Sequence, residues 1–154
     1  PPPATPPPAT TQAFPEAQHG TFKCSSKCVV CQVHIRESDC FSGTLSGTIH
    51  RTQGQITCTT ANVIYLITCR VCGAQHVSGT KSTLKKRFYD LRSIVNTKKQ
   101  DSPLVQHFTL PNHTVSDMIL QGIESLDPCT ASVRRSKANI WVKQLQTNPP
   151  YGLN

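Results

Sequence analysis

Two sets of side chains in this sequence have the types and spacings that gather a metal ion. The first is Cys69-x2-Cys72, within "NVIYLITCRVCGAQHVSGT" (62–80), together with His107-x5-His113 in "HFTLPNH". A Cys-x2-Cys turn aims two thiolates at one point, and two histidines about a helical turn and a loop apart can meet them there. Four such ligands leave no open position, so the chemistry is structural, and thiolate with neutral imidazole favours Zn2+. The second set is Cys24-x3-Cys28-x2-Cys31 with Cys58 as fourth ligand, and Cys40 and His34 as rivals for that place. The surrounding stretch "FKCSSKCVVCQVHIRESDCF" (22–41) has little apolar mass, so zinc would supply its folding free energy directly. The plainer alternatives are core thiols beside surface histidines for the first set, and a flexible cysteine-rich tail for the second. Cys129 has no partner nearby in sequence and is assigned no role.

Hydrophobic period predicts the elements that must position these ligands. "NVIYLITC" (62–69) is a β-branched apolar run, hence a buried strand, and "AQHVSG" (74–79) is a second strand after the knuckle. Residues 80–99 read as a helix: Leu84, Phe88, Leu91 and Val95 form one stripe, with Thr80 or Ser82 as the cap. "SPLVQHFTL" (102–110) reads as a short helix opened by Ser102-Pro103 and ended by Pro111. Residues 115–126 are expected to form a third strand. Residues 129–147 are expected to form a second long helix, with Val133, Ile140, Trp141 and Leu145 inward. Upstream, "SGTLSGTIHRTQGQITC" (42–58) alternates weakly between glycines and predicts a loose hairpin, and "NPPYGLN" closes the chain as a turn. The order predicts a small α/β (α+β) layer fold, a three-stranded sheet with helices packed on it. Composition divides the chain into a Pro-rich linker (1–20), a cysteine-rich segment (21–60) and the sheet-and-helix region (61–154).

Sixteen Lys and Arg against eight Asp and Glu give a formal charge of +8, which favours a polyanionic partner, nucleic acid first and a membrane surface second. Lys81, Lys85, Lys86, Arg87 and Arg92 flank the first long helix, and Arg134, Arg135 and Lys137 cluster on the second. No apolar run is long enough to span a bilayer. The proline repeats of the opening residues cannot form the apolar region of a signal peptide, so a reducing compartment is expected and disulfides are disfavoured. The same opening reads as a cut from a longer polypeptide.

The run "NVIYLITC", the paired thiols, "QHVSGT", "TLKKRF", the "HF…H" pair and the ending "WVKQLQTNPPYGLN" resemble the GIY-YIG endonuclease domain of Penelope-like retroelements over about residues 22–154. The resemblance implies a small, mainly antiparallel three-stranded sheet flanked by helices, preceded by a zinc-bound cysteine-rich segment. It implies that Cys69, Cys72, His107 and His113 form the family's zinc motif. It also implies hydrolysis of a DNA phosphodiester. In such a site two strand tyrosines position the attacking water, a helical Arg steadies the phosphate, a His assists, and a Glu holds Mg2+ or Mn2+. A closing Asn packs beside them. Carried onto this chain, the first Tyr is Tyr65, the Arg is Arg87 and the Asn is Asn154. The remaining positions depart. His76, which by its place on the strand reads as a surface histidine before a weak general base or an extra zinc ligand, stands where the second Tyr would be; Ser78 stands where a Gly would be, Leu91 where the His would be, and Ala138 where the Glu would be. An Ala cannot hold Mg2+, which removes the main source of transition-state charge stabilisation. Glu124 is the nearest conceivable substitute, although its spacing does not recommend it.

Three functions follow as expectations. A zinc-stabilised, catalytically impaired DNA-binding module ranks first, because phosphate contacts from the basic helices need no carboxylate. An active endonuclease that nicks DNA to prime reverse transcription is the alternative, and a protein-interaction module is the third. Two Zn2+ ions are expected in any case, and Mg2+ or Mn2+ only with activity. DNA is the expected partner, with RNA as its rival. The resemblance implies an upstream reverse transcriptase and a nuclear location.

Overall fold

The computed structural model describes residues 18–99 and 101–154, so all but the last three residues of the Pro-rich linker lie outside the described residues. The centre is β5 (Val63–Cys69), the apolar run of the sequence. It pairs antiparallel with β6 (Gln75–Thr80) on one side and with β7 (Met118–Ser125) on the other. A strand flanked on both sides and covered on both faces has no use for polar positions, which is why β5 reads as continuous rather than alternating. Its odd residues Val63, Tyr65 and Ile67 enter one core and its even residues Ile64 and Leu66 enter another.

The first core is roofed by α2 (Leu84–Thr97), whose expected stripe of Leu84, Phe88, Leu91 and Val95 is buried throughout. Burial of each such side chain is worth about 1.5–3 kcal/mol. The cap is Thr83, which accepts from the Lys86 amide at 3.1 Å, rather than Thr80 or Ser82. Those two hydroxyls bond each other at 2.9 Å instead. The helix α3 (Pro103–Phe108) is opened by the Ser102 cap and Pro103 as its sequence predicts.

The second core lies under α4 (Ala131–Leu145). Here the expected inward face is partly wrong. Val133 and Ile140 are 45 % and 52 % exposed, whereas Val142 and Leu145 are buried and Trp141 packs against the core. The reason is the sheet surface that α4 meets. Gly79 leaves room for the aliphatic stem of Arg134, and Ala138 fits close, so the packed stripe is built from long-stemmed and small residues.

The cysteine-rich segment is more regular than its composition predicts. It contains β1 (Gly20–Thr21), the short helix α1 (Val29–Val33), the hairpin β2 (Cys40–Ser42) with β3 (Ile49–Arg51), and β4 (Gln55–Ile56). The hairpin expected over 42–58 therefore starts two residues early, and residues 55–56 leave it to pair in parallel with β1. The segment covers the free edge of β7. Leu120 N–H donates to the His34 carbonyl at 2.6 Å, Arg36 N–H to the Leu120 carbonyl at 3.0 Å, and Gln53 N–H to the Ile123 carbonyl at 2.9 Å. Covering an edge removes a row of unpaired backbone groups.

The opposite edge, β6, is closed by the chain's last residues. Leu153 N–H donates to the Gln75 carbonyl at 2.8 Å. The Asn154 side chain then pairs with the Val77 backbone, accepting at 2.8 Å and donating at 2.7 Å, as a neighbouring strand would. The expected closing turn is present and is also a latch. Among the described residues no helix is long and apolar enough to cross a membrane.

Candidate metal centres and polar clefts

Both cysteine sets converge. Cys24, Cys28, Cys31 and Cys58 place their sulfurs within 4.8 Å of one another. Neighbouring Sγ–Sγ distances are 3.4 Å for Cys58–Cys24, 3.6 Å for Cys31–Cys24 and 3.9 Å for Cys28–Cys58. A tetrahedron with metal–sulfur bonds of about 2.3 Å has edges of about 3.8 Å, so the four sulfurs fit an ion at their centre. α1 supplies Cys31 and begins just after Cys28, and the turn before β5 supplies Cys58. The Cys58 carbonyl accepts from the Lys85 amide at 2.8 Å, so this centre also fixes the amino end of α2. The rivals are engaged elsewhere. His34 turns its Nδ1 to the Met118 carbonyl at 2.9 Å and lies on Phe88 at 4.0 Å. The Cys40 thiol sits beside the Ser38 hydroxyl at 3.7 Å.

Burial pushes the Cys31 and Cys58 thiols up, whereas a backbone hydrogen bond involving Cys31 leads the effects that bring Cys28 down to about 7. Four thiolates packed this closely need a cation between them, which converts their mutual repulsion into coordination.

The second centre joins Cys69, Cys72, His107 and His113, again within 4.8 Å. Cys69 ends β5, and Gly73, at φ 81°, closes the knuckle by donating to the Cys69 carbonyl at 2.9 Å. α3 carries His107 and the following turn carries His113, whose ring lies 4.7 Å from that of His107. The Cys72 Sγ to His107 Nε2 distance is 3.4 Å, against about 3.5 Å for the edge between a sulfur and a nitrogen ligand of one tetrahedral ion. His113 Nδ1 faces the Pro111 carbonyl at 3.0 Å, which leaves Nε2 buried with no hydrogen-bond partner among the described residues. A metal ion answers that orphaned nitrogen, and the Pro111 carbonyl is the outer contact that orients a ligating ring.

The residues singled out for phosphodiester chemistry gather along β6. Tyr65 is fully buried, and Arg87 Nε donates to its hydroxyl at 2.9 Å. His76 is half-buried rather than a free surface side chain. Its Nδ1 lies 3.1 Å from the Leu153 carbonyl, and burial, aided by the Arg87 charge, holds its pKa below the usual histidine value. His76, Ser78, Arg87 and Asn154 line a cleft of about 200 Å³ between β6, α2 and α3. On the other side of the same strand, Arg134, Arg135, Ala138 and Asn139 line a cleft of about 340 Å³ against α4. Ser78 and Asn154 belong to both clefts, so the two meet at the latch.

Among the described residues, no carboxylate side chain lines either cleft. Glu124, the conceivable substitute, is buried elsewhere between Lys137 Nζ at 3.1 Å and Trp141 Nε1 at 3.3 Å. The residues present do not fit a hydrolytic Mg2+ or Mn2+ ion, which requires hard oxygen ligands.

The cationic side chains do not make one flat face, because α2 and α4 lie on opposite sides of the sheet. Lys81 and Arg92 are exposed on the α2 side, with Arg92 stacked 4.8 Å from the Tyr89 ring. Lys86 pairs with Asp90 at 3.2 Å, and Lys85 is half-buried. Arg134 reaches Asn62 Oδ1 at 3.4 Å, and Arg135 is exposed. Among the lining residues that sequence did not mark as site residues are Leu104, which walls the smaller cleft, and Asn139, which walls the larger. Nothing in their local pattern marks them, since each joins β6 only through packing. Compared with known protein families, characterised proteins and solved structures, the chain has no significant match.

Proposed function

We propose that this chain is a nucleic-acid-binding module of the GIY-YIG type, from a Penelope-like retroelement, held together by two structural Zn2+ ions and impaired in catalysis. The observation that carries this reading is the meeting of two clefts at Asn154. They present Arg87 on one side and Arg134 and Arg135 on the other, and among the described residues no carboxylate side chain lines them. Such a surface attracts phosphates and lacks the group that would hold a catalytic metal. Zinc is the ion of choice because four sulfurs, or two sulfurs with two nitrogens, stand at tetrahedral spacings. DNA is the partner we favour. The module would act in the nucleus within a longer chain that also carries a reverse transcriptase.

A second reading, an active nicking endonuclease, draws on the Tyr65–Arg87 contact and the neutral His76 beside it. Two measurements test these readings. Filter binding to duplex DNA should weaken steeply as salt rises, and affinity that is flat or absent would favour a protein-interaction module. A nicking assay with Mg2+ or Mn2+ should show no cutting by the native chain. Robust cutting without Ala138→Glu would establish the endonuclease reading instead.

A further inference from the structure

The smaller cleft has two chemically different ends. At one end stand His76, Ser78, Arg87 and Asn154, and at the other Leu91 and Leu104 head a wall of aliphatic side chains. Arg87 commits its Nε to Tyr65 Oη. Among the described residues its terminal N–H groups have no partner and no carboxylate neutralises it. A guanidinium held at one nitrogen and free at the other two is preorganised for an anion. The Leu153 carbonyl accepts from His76 Nδ1–H, so the neutral ring presents Nε2 as an acceptor without a partner among the described residues. An anion-binding end, an open acceptor and an apolar wall within about 200 Å³ match the parts of one nucleotide. Those parts are a phosphate, a polar base edge and an apolar base face.

Base-paired nucleotides cannot use this cleft, because their faces are stacked and their edges are paired. Duplex phosphates would instead meet Arg134 and Arg135 across the larger, more open cleft on the far side of β6. We infer that the cleft between β6, α2 and α3 receives one unpaired nucleotide of the bound strand, with its phosphate on Arg87 and Ser78 and its base against Leu91 and Leu104. The inference rests on the nucleic-acid reading above and adds a preference to it: DNA with an unpaired end or gap over intact duplex.

The test is fluorescence anisotropy with the zinc-loaded chain, using a short blunt duplex and the same duplex with a single-stranded 3′ overhang. The overhang should bind about tenfold tighter, a difference of about 1.4 kcal/mol. Ile94→Trp, at a half-buried position on the cleft wall, should fill the apolar end and bring the two affinities together while leaving the blunt duplex unchanged. Ser78→Ala, a milder change, should narrow the preference and decides the matter if Ile94→Trp does not fold. Arg134→Glu with Arg135→Glu should weaken both DNAs alike. Equal binding of the two DNAs by the native chain would overturn the nucleotide site and leave the nucleic-acid reading standing. Binding of neither would overturn both.

Discussion

The two candidate metal centres hold different parts of the molecule. The four-cysteine centre is built into the main core: Cys31 and Cys58 are fully buried there with Val30, Ile35 and Ile56, and the Cys58 backbone carries the start of α2. The Cys69–Cys72–His107–His113 centre is peripheral. Only Cys69 is buried, and its partners tie the end of β5 to α3 and to the turn before β7. Spacing alone made the two sets look equivalent. Burial makes the first a condition for the upstream segment to fold, and the second a clamp on a sheet that has apolar packing of its own.

The sharpest way to break this comparison is Cys58→Ser. Structural zinc is worth about 10 kcal/mol or more, comparable with the entire stability of a small domain. The expected result is loss of the cooperative thermal transition by circular dichroism. A variant that still binds two ions and melts as the native chain does would make the two centres equal after all. His113→Ala should do less. Metal content should fall from two ions per chain to one, and stability by about 2–4 kcal/mol, with hydrogen-exchange protection retained in β5 and lost first in α3.

Acidification sharpens the comparison further. His34 lies in the upstream segment and His76 at the β6 edge, and burial holds the pKa of both below the ordinary 6.5. A histidine whose folded pKa is depressed contributes stability that is full above its unfolded pKa. That stability is lost as pH falls below about 6.5 toward the folded value. Urea midpoints should therefore drop across that window, beyond the part caused by protonation of the metal ligands. His76→Gln should remove a share of the slope while leaving metal content at two, and an unchanged slope would mean that His76 is not titrating there. The smallest effect is expected from Asn154→Ala. It deletes two side-chain hydrogen bonds to Val77, about 1–2 kcal/mol, and should be visible as faster amide exchange at Val77 with both metals retained.

Much of the fold was legible from local pattern. The β5 run, the Leu84–Phe88–Leu91–Val95 stripe and the Ser102-Pro103 start all appear where the sequence places them, because period and capping depend on a few neighbouring residues. Pattern failed on α4. Hydrophobicity selected Val133 and Ile140, whereas the sheet offered Gly79 and took the stem of Arg134. It failed also on His76, whose burial comes from the returning segment at Leu153 rather than from its own strand.

By itself the sequence determined which side chains could ligate metal, where the main strands and helices run, and the basic excess that invites phosphate. Each of these follows from residue type and short-range backbone geometry. Only the tertiary structure decided that Cys58 completes the upstream centre in place of Cys40 or His34. It also turned Glu124 away to Lys137 and Trp141, and joined two clefts at Asn154. Those outcomes depend on how segments tens of residues apart dock against a common sheet. The selection is made by packing and by the cost of leaving a buried polar group unpaired, neither of which is written in local spacing.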